Sequence, residues 1–274
     1  MKAMILAAGL GTRLRPLTDT RPKALVKVAG RTLLEITLSR LGSFGVRDVI
    51  INVHHFPDMI LDYLKAHNNF GLHTEISREE QLLDTGGGLK KASWFFLQDS
   101  AHAEEPFILH NVDVISTINL RRMLAFHNEK QALATLAVQH RESSRQLLFD
   151  ADLRLCGRRI GPRQDPELVR SRLTHAFRQG TASAVPKSVG SPGALAPEVP
   201  PQPFAFSGIH IISPRLLQLM PEQDAFSIID TYLHLSARGE KIFAFPADDA
   251  YWRDLGKPVG LAQAAKDLKK RVWF

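Results

Sequence analysis

Apolar positions along this chain follow two different periods. The short runs Ala3–Ala8, Asp48–Val53, His73–Ser77, Pro106–His110 and Ala132–Val138 predict strands. Between them lie stretches with apolar residues on one helical face: Leu33, Leu34, Ile36, Leu38 and Leu41; Met59, Ile60, Tyr63 and Leu64; and Leu120, Met123, Leu124 and Phe126. Strand and helix therefore alternate through residues 1–140, the order that builds β-α units around a mostly parallel sheet. Ligands of such sheets bind beyond the carboxyl ends of the strands, so chemistry is expected in the loops that follow strands.

After Gln146 the pattern shortens. Leu147–Asp150 and Leu153–Cys156 predict a hairpin turning at Ala151-Asp152. Residues 179–203 hold Pro186, Pro192, Pro197, Pro200, Pro201 and Pro203 with Gly180, Gly190 and Gly193, which excludes regular structure through much of the segment. A surface loop is preferred to a lid there. Order resumes with a strand at Phe204–Ile212, a helix from Phe226 to Ala237, a strand at Lys241–Phe245 and a helix at Pro258–Val272. The chain has no internal repeat.

The loop after the first strand carries the strongest chemical signal. Met4-Ile5-Leu6-Ala7-Ala8 breaks into Gly9-Leu10-Gly11-Thr12-Arg13-Leu14-Arg15-Pro16-Leu17-Thr18, followed by Arg21-Pro22-Lys23-Ala24-Leu25-Val26. Glycines let backbone N–H groups approach a ligand, and Arg13, Arg15 and Lys23 add positive charge, a combination suited to a polyphosphate. The dinucleotide fingerprint is excluded because Leu14 stands where its last glycine belongs, and no G-x-x-x-x-G-K-[ST] occurs.

Three other segments join it. Phe107-Ile108-Leu109-His110-Asn111-Val112-Asp113 is an apolar strand leading to a carboxylate, a position that suits Mg²⁺, which takes one or two carboxylates plus phosphate oxygens and water. Trp252-Arg253-Asp254-Leu255-Gly256-Lys257-Pro258 supplies a second carboxylate, with Asp248 and Asp249 nearby read as solvated charges. Glu79-Glu80-Gln81-Leu82-Leu83-Asp84-Thr85-Gly86-Gly87-Gly88-Leu89 places glycines at a helix start, where a flat base can approach the backbone and a glutamate can accept a hydrogen bond from it. His54, His55, His110 and His210 lie at strand ends and are assigned no catalytic role.

Over most of its length the chain resembles the sugar-1-phosphate nucleotidyltransferases, through G-x-G-T-R-L-x-P-L-T with P-K-x-L-V, N-x-D at Asn111–Asp113 and W-x-D-x-G-x-P at Trp252–Pro258. The resemblance implies an α/β fold, a Rossmann-like, mixed, mostly parallel sheet flanked by helices (GT-A-like), with a small β-rich sugar-binding lobe. Residues 1–140 would form the nucleotide-binding half, 141–250 the sugar lobe, and 251–274 the second metal aspartate and final helix of a single domain. It implies triphosphate contacts at Leu6, Ala7, Ala8, Gly9, Gly11, Thr12, Arg13 and Lys23, with Arg13 and Lys23 catalytic, and Mg²⁺ on Asp113 and Asp254. It implies base contacts at Glu79, Thr85, Gly86 and Gly87, and sugar contacts at Asn111, Arg145 and Gly208. Val112 stands where relatives commonly have glycine, and Cys156-Gly157-Arg158-Arg159-Ile160 replaces their E-K-P.

The L-x-T-G-G-G-[IL] form is most similar to bacterial N-acetylmuramate-1-phosphate uridylyltransferases, which act in cell-wall sugar recycling. UTP is therefore expected ahead of GTP, with guanylyl transfer to mannose- or heptose-1-phosphate as the alternative. A catalytically inactive regulatory subunit is the alternative of another class, and retention of Arg13, Lys23, Asp113 and Asp254 argues against it.

Composition fits this picture. At 274 residues and 44% hydrophobic positions, the chain can bury one substantial core with at most a modest appended lobe. No apolar run approaches the roughly 18 residues of a membrane span, no cleavable signal precedes the first strand, and a cytoplasmic location is expected. The single cysteine, Cys156, excludes an internal disulfide. Of the +7 formal charge, arginines 158, 159, 163, 170, 172 and 178 against Asp165 and Glu167 supply +4. With no aromatic residue among them before Phe177, this is a solvated or phosphate-attracting stretch and no nucleic-acid partner is expected. Only a helix is expected after Asp254, with no appended hexapeptide-repeat domain.

Overall fold

A computed structural model describes residues 1–98, 104–161, 167–168, 200–220 and 225–270. In chain order the elements are β1 (Lys2–Leu6), β2 (Lys27–Val28), β3 (Arg31–Thr32), α1 (Leu33–Ser43), β4 (Asp48–Val53), α2 (Pro57–Ala66), β5 (His73–Arg78), α3 (Asp84–Lys91), α4 (Ser93–Leu97), β6 (Phe107–Asn111), β7 (Val114–Ser116) and α5 (Leu120–Lys130). There follow β8 (Ala134–Gln139), β9 (Arg145–Phe149), β10 (Leu155–Ile160), β11 (Glu167–Leu168), β12 (Gln202–Ile212), α6 (Arg215–Leu219), α7 (Ile228–Ala237), β13 (Ile242–Pro246), β14 (Trp252–Asp254) and α8 (Pro258–Lys270).

The central sheet has ten strands, with the path β11-β10-β9-β12-β6-β1-β4-β5, and β8 and β13 joined on beside β12. β6, β1, β4 and β5 run parallel, as do β8 and β13, while β12 runs antiparallel to β6, β8 and β9. This is the expected mixed sheet flanked by helices. Both faces are covered, and side chains alternate between them: Ala3 and Ile5 pack with α1 and α2 residues, whereas Met4 packs with Leu89, Phe95 and Tyr232 on the other face. The apolar run Ala3–Leu6 within β1 follows from having no wet side.

Local signals account for the helices. The Thr32 side chain accepts the Glu35 N–H at 3.0 Å and caps α1, whose Leu33, Leu34, Ile36, Leu38 and Leu41 are all buried as expected. Asn119 and Ser227 cap α5 and α7 in the same way. In α2 only Ile60 and Leu64 are buried. Met59, expected on that apolar face, is exposed because it lies one residue off the stripe.

The predicted hairpin is present. Asp150 accepts N–H groups of Asp152 and Arg154 at its turn, and β9 and β10 continue the main sheet. Residues 162–166 and 169–199 lie outside the described residues, and with them most of the arginine-rich stretch and of the 179–203 segment. Cys156 is half-buried, and burial pushes its thiol up to about 11.

Among the described residues, three histidines are buried. His210 is hydrogen-bonded through Nδ1 to the Tyr232 hydroxyl at 2.8 Å, His127 through Nδ1 to Thr135 Oγ1 at 2.9 Å, and His110 Nδ1 lies 2.8 Å from the Asn111 carbonyl oxygen. Burial lowers their pKa to about 3 for His210 and about 4 for His127 and His110. They are therefore neutral in the folded state at neutral pH. Unfolding at mildly acidic pH takes up protons that the native state refuses, so stability falls as pH drops through the ordinary histidine range. Urea melts should show a lower midpoint at about pH 5 than at about pH 7, and His127→Gln should flatten that slope; a slope unchanged by the substitution would contradict this assignment.

Candidate active site

The site lies at the carboxyl edge of β1 and β6. Leu6 pairs with Asn52 on one side and Asn111 on the other, so the loops after β1, β4 and β6 leave the sheet together. The glycine loop is tied down at both ends. At its start, the Ala7 N–H donates to Asn52 Oδ1 at 2.7 Å. At its turn, Gly11 has φ 66°, and its carbonyl accepts from the Leu14 N–H and the Thr18 hydroxyl. A Cβ on Gly11 would meet Thr18 Cγ2 at 2.8 Å and Lys23 Cβ at 3.1 Å, so this glycine brings the Lys23 segment against the loop. Gly9, Leu10, Thr12 and Arg13 are exposed, whereas Ala7 and Ala8 are buried.

The four charged residues singled out in the sequence come together. Lys23 Nζ forms an ion pair with Asp113 Oδ2, both side chains being largely buried. Asp113 lies in the tight turn between β6 and β7. β7 pairs antiparallel with β14, with Val114 opposite Asp254. The Leu255 N–H donates to the Asp113 carbonyl at 2.8 Å, and the Gly256 N–H donates to Asp254 Oδ1 at 2.7 Å.

Gly256 is the centre of this arrangement. A Cβ there would lie 2.7 Å from Arg13 Nη2, 2.8 Å from Asp113 Oδ2 and 2.9 Å from Asp254 Oδ1. Two carboxylates and the Arg13 guanidinium thus surround a point that only a glycine leaves open, and Lys23 is joined to it through Asp113. Among the described residues, no three His, Cys, Asp or Glu side chains are grouped to hold a metal. A two-carboxylate set suits a hard cation that completes its shell with phosphate oxygens and water.

The Glu79–Gly88 segment is tied to protein on both sides. Glu79 is buried, and its carboxylate accepts from Asn52 Nδ2 at 2.7 Å and from the Leu83 N–H at 3.1 Å. Thr85 Oγ1 accepts the Ile228 N–H, and the Gly86 and Gly87 N–H groups both donate to the Phe226 carbonyl. A Cβ on Gly86 would meet the Phe226 ring at 2.4 Å, and one on Gly88 would meet Glu79 Oε1 at 2.7 Å. These glycines let α3 pack on Phe226 and on the Asn52–Glu79 pair. The Cβ directions of Gly86 and Gly88 are thus filled by protein.

On the sugar side, Asn111 and Gly208 are brought together. Gly208 has φ 74° within the register shift of β12 on β8, and a Cβ there would lie 2.9 Å from Asn111 Nδ2. Arg145 is exposed at the start of β9 and hydrogen-bonded only through its backbone to Ser143, so nothing ties its guanidinium to Asn111 or Gly208. Asp248 is bonded to His140, and Asp249 pairs with Arg122, so neither enters the carboxylate cluster. His54 Nδ1 lies 2.9 Å from the Glu79 carbonyl oxygen. Asn52 was not singled out from the sequence, although a polar residue ending an apolar strand was a usable signal.

The chain belongs to the nucleotidyl transferase family, whose profile matches residues 2–147. It is similar to N-acetylmuramate alpha-1-phosphate uridylyltransferase of Caulobacter vibrioides, with 44% identity over 116 residues, 41% of this chain and 46% of that protein. Over nearly its whole length it is similar to mannose-1-phosphate guanyltransferase of Yarrowia lipolytica, with 28% identity covering 94% of this chain and 61% of that protein. The chain thus spans about half to two thirds of the length of these relatives. Among solved structures, HddC from Yersinia pseudotuberculosis, complexed with GMP-PN, superposes with TM-score 0.69 at 21% identity, covering 97% of this chain and 99% of that one. UDP-glucose pyrophosphorylase complexed with UDP-glucose superposes with TM-score 0.72 at 18% identity, covering 98% of this chain and 99% of that one. Both show the shared fold.

Replacing Asn52 by Ala strands the Ala7 N–H and removes one of the two donors on the Glu79 carboxylate. The expected result is a loss of about 1–3 kcal/mol of stability and faster amide exchange at Ala7–Gly11 than in the native protein, read by denaturant melts and hydrogen exchange. Unchanged exchange at Ala7 would show that the loop does not depend on this tie.

Proposed function

We propose that the chain transfers a nucleotidyl group from a nucleoside triphosphate to a sugar 1-phosphate, releasing pyrophosphate, with Mg²⁺ held by Asp113 and Asp254. The observation that carries this reading is the convergence of Arg13, Lys23, Asp113 and Asp254 on the cradle at Gly256. The N–H groups of the loop from Ala8 to Thr12 suit a polyphosphate, and Arg13 is exposed where it can neutralise the leaving pyrophosphate. Lys23, seated between that loop and Asp113, can stabilise charge at the α-phosphoryl group.

The reaction asks for little proton chemistry. A phosphate monoester has its second pKa near about 6, so the acceptor is already largely a dianion at neutral pH and needs no general base. The difficulty is bringing that dianion onto a polyanionic donor. The cations offset this repulsion, and the rigid loops align the reacting groups. Bound Mg²⁺ would add further positive charge on the phosphate oxygens. Neutral, buried His110 and His210 fit a site that runs without an imidazole acid or base.

UTP with N-acetylmuramate 1-phosphate is the first substrate pair, on the form of the Leu83–Leu89 motif and the 44% identity to the Caulobacter vibrioides protein. GTP with mannose 1-phosphate is the second, favoured by guanylyltransferases that match nearly the whole chain, such as that of Mycobacterium tuberculosis over 98% of it. The cytoplasmic setting expected from the sequence is part of the same proposal.

Pyrophosphate release measured with Mg²⁺ over a grid of nucleoside triphosphates and sugar 1-phosphates tests both levels. Release with UTP and N-acetylmuramate 1-phosphate is expected. Release with GTP alone overturns the uridine assignment, and none in any well overturns the enzyme. Lys23→Ala, Asp113→Ala and Asp254→Ala should each lower kcat at least about a hundredfold, with circular dichroism unchanged; near-normal turnover in any of them would remove that residue from the mechanism.

A further inference from the structure

One cation faces this site without a place in the scheme above. Arg141 follows β8 and is half-buried, its guanidinium stacked 3.6 Å from the centre of the Trp252 ring. Its Nη2 group donates to the Phe206 carbonyl at 2.6 Å, while Nε is buried and has no hydrogen-bond partner. A guanidinium offers five N–H donors, and no carboxylate of the described residues forms an ion pair with this one. Burial lowers its pKa, and the Asp254 carboxylate partly offsets this.

Keeping a partly desolvated cation without an ion-pair partner is costly, yet its surroundings are built to hold it. Asp248 accepts the His140 N–H at 2.6 Å and is bonded to the His140 ring at 2.8 Å. Gln139 Nε2 donates to the Ala247 and Ala250 carbonyls. Trp252 Nε1 donates to the Ser207 carbonyl at 2.7 Å, next to Gly208. The turn at 139–141, the segment leading into β14 and the irregular part of β12 are therefore fastened together. Trp252 and Asp254, two residues apart on β14, share one strand face. Arg141 is thus fastened on Trp252 and Phe206, whose neighbours on the two strands are Asp254 and Gly208.

We infer that Arg141 is the acceptor-side cation: it binds the phosphate of the sugar 1-phosphate and aligns it for attack, while Arg13 and Lys23 serve the donor. This rests on the nucleotidyl transfer proposed above. A stacked, preorganised guanidinium suits a phosphate because its N–H groups match phosphate oxygens in pairs.

Steady-state kinetics of the native chain, Arg141→Gln and Arg141→Lys, with donor and acceptor varied separately, test the inference. Arg141→Gln should raise KM for the sugar 1-phosphate by about tenfold or more, with KM for the triphosphate and the Mg²⁺ requirement unchanged, and Arg141→Lys should recover part of the loss. An unchanged acceptor KM overturns the inference. So does a parallel rise for both substrates or a shifted Mg²⁺ requirement, either of which would mean that Arg141 acts through Asp254. Calorimetric titration with inorganic phosphate reads the same site without turnover. Binding by the native chain that Arg141→Gln lacks, at an unaltered melting temperature, supports the inference; equal binding, or none to either, overturns it. Absence of pyrophosphate release from the native chain overturns the nucleotidyl-transfer reading, and the phosphate titration still decides the anion site.

Discussion

Everything at this site depends on holding two carboxylates next to one another. Left alone, the like charges of Asp113 and Asp254 repel. The antiparallel pairing of β7 with β14 sets them side by side, and the Gly256 N–H and the Lys23 ammonium each hold one of them. Because the cost is met by backbone geometry and two flanking cations, the cluster stays compact while its centre remains open at Gly256. A side chain at that position would fill the space where the charges meet.

A second buried device connects the cluster's neighbours. Asn52 receives the Ala7 N–H and donates to Glu79, which in turn receives the Leu83 N–H. The start of the glycine loop and the approach to α3 are therefore joined through one side-chain pair at the end of β4. Fully satisfied buried networks of this kind set one geometry, because any partial rupture leaves polar groups dry and unpaired. The same economy governs α3, where the Thr85 N–H is taken by Asp84 Oδ1 and the Gly86 and Gly87 N–H groups by the Phe226 carbonyl.

Much of this was legible in the sequence where the determinants are local. The strand expected at Asp48–Val53 has those bounds in the structure, the α1 stripe is buried as its spacing requires, and the Arg13, Lys23, Asp113 and Asp254 cluster follows from motif positions. Other features turn on non-local packing. A glycine reads the same whether a ligand or a phenylalanine fills the space beside it, so the packing of Gly86 on Phe226 was not visible in the sequence. The position of β12 between β6, β8 and β9 is a matter of long-range pairing that no periodicity encodes. Arg141 was not singled out in the sequence and becomes conspicuous only once Trp252 and Phe206 are seen around it, whereas Arg145, four residues later, was expected as a sugar contact and is solvent-facing.

For the Gly256 cradle to receive a metal-bound triphosphate, Lys23 has to exchange its contact with Asp113 for one with phosphate. A crystal structure of the chain with Mg²⁺ and a non-hydrolysable triphosphate analogue tests it most directly. The account predicts phosphate oxygens against the Ala8–Thr12 backbone, the metal on Asp113 and Asp254, and Lys23 on the α-phosphoryl group. A triphosphate bound elsewhere, or a Lys23–Asp113 ion pair left intact with the nucleotide in place, would contradict it.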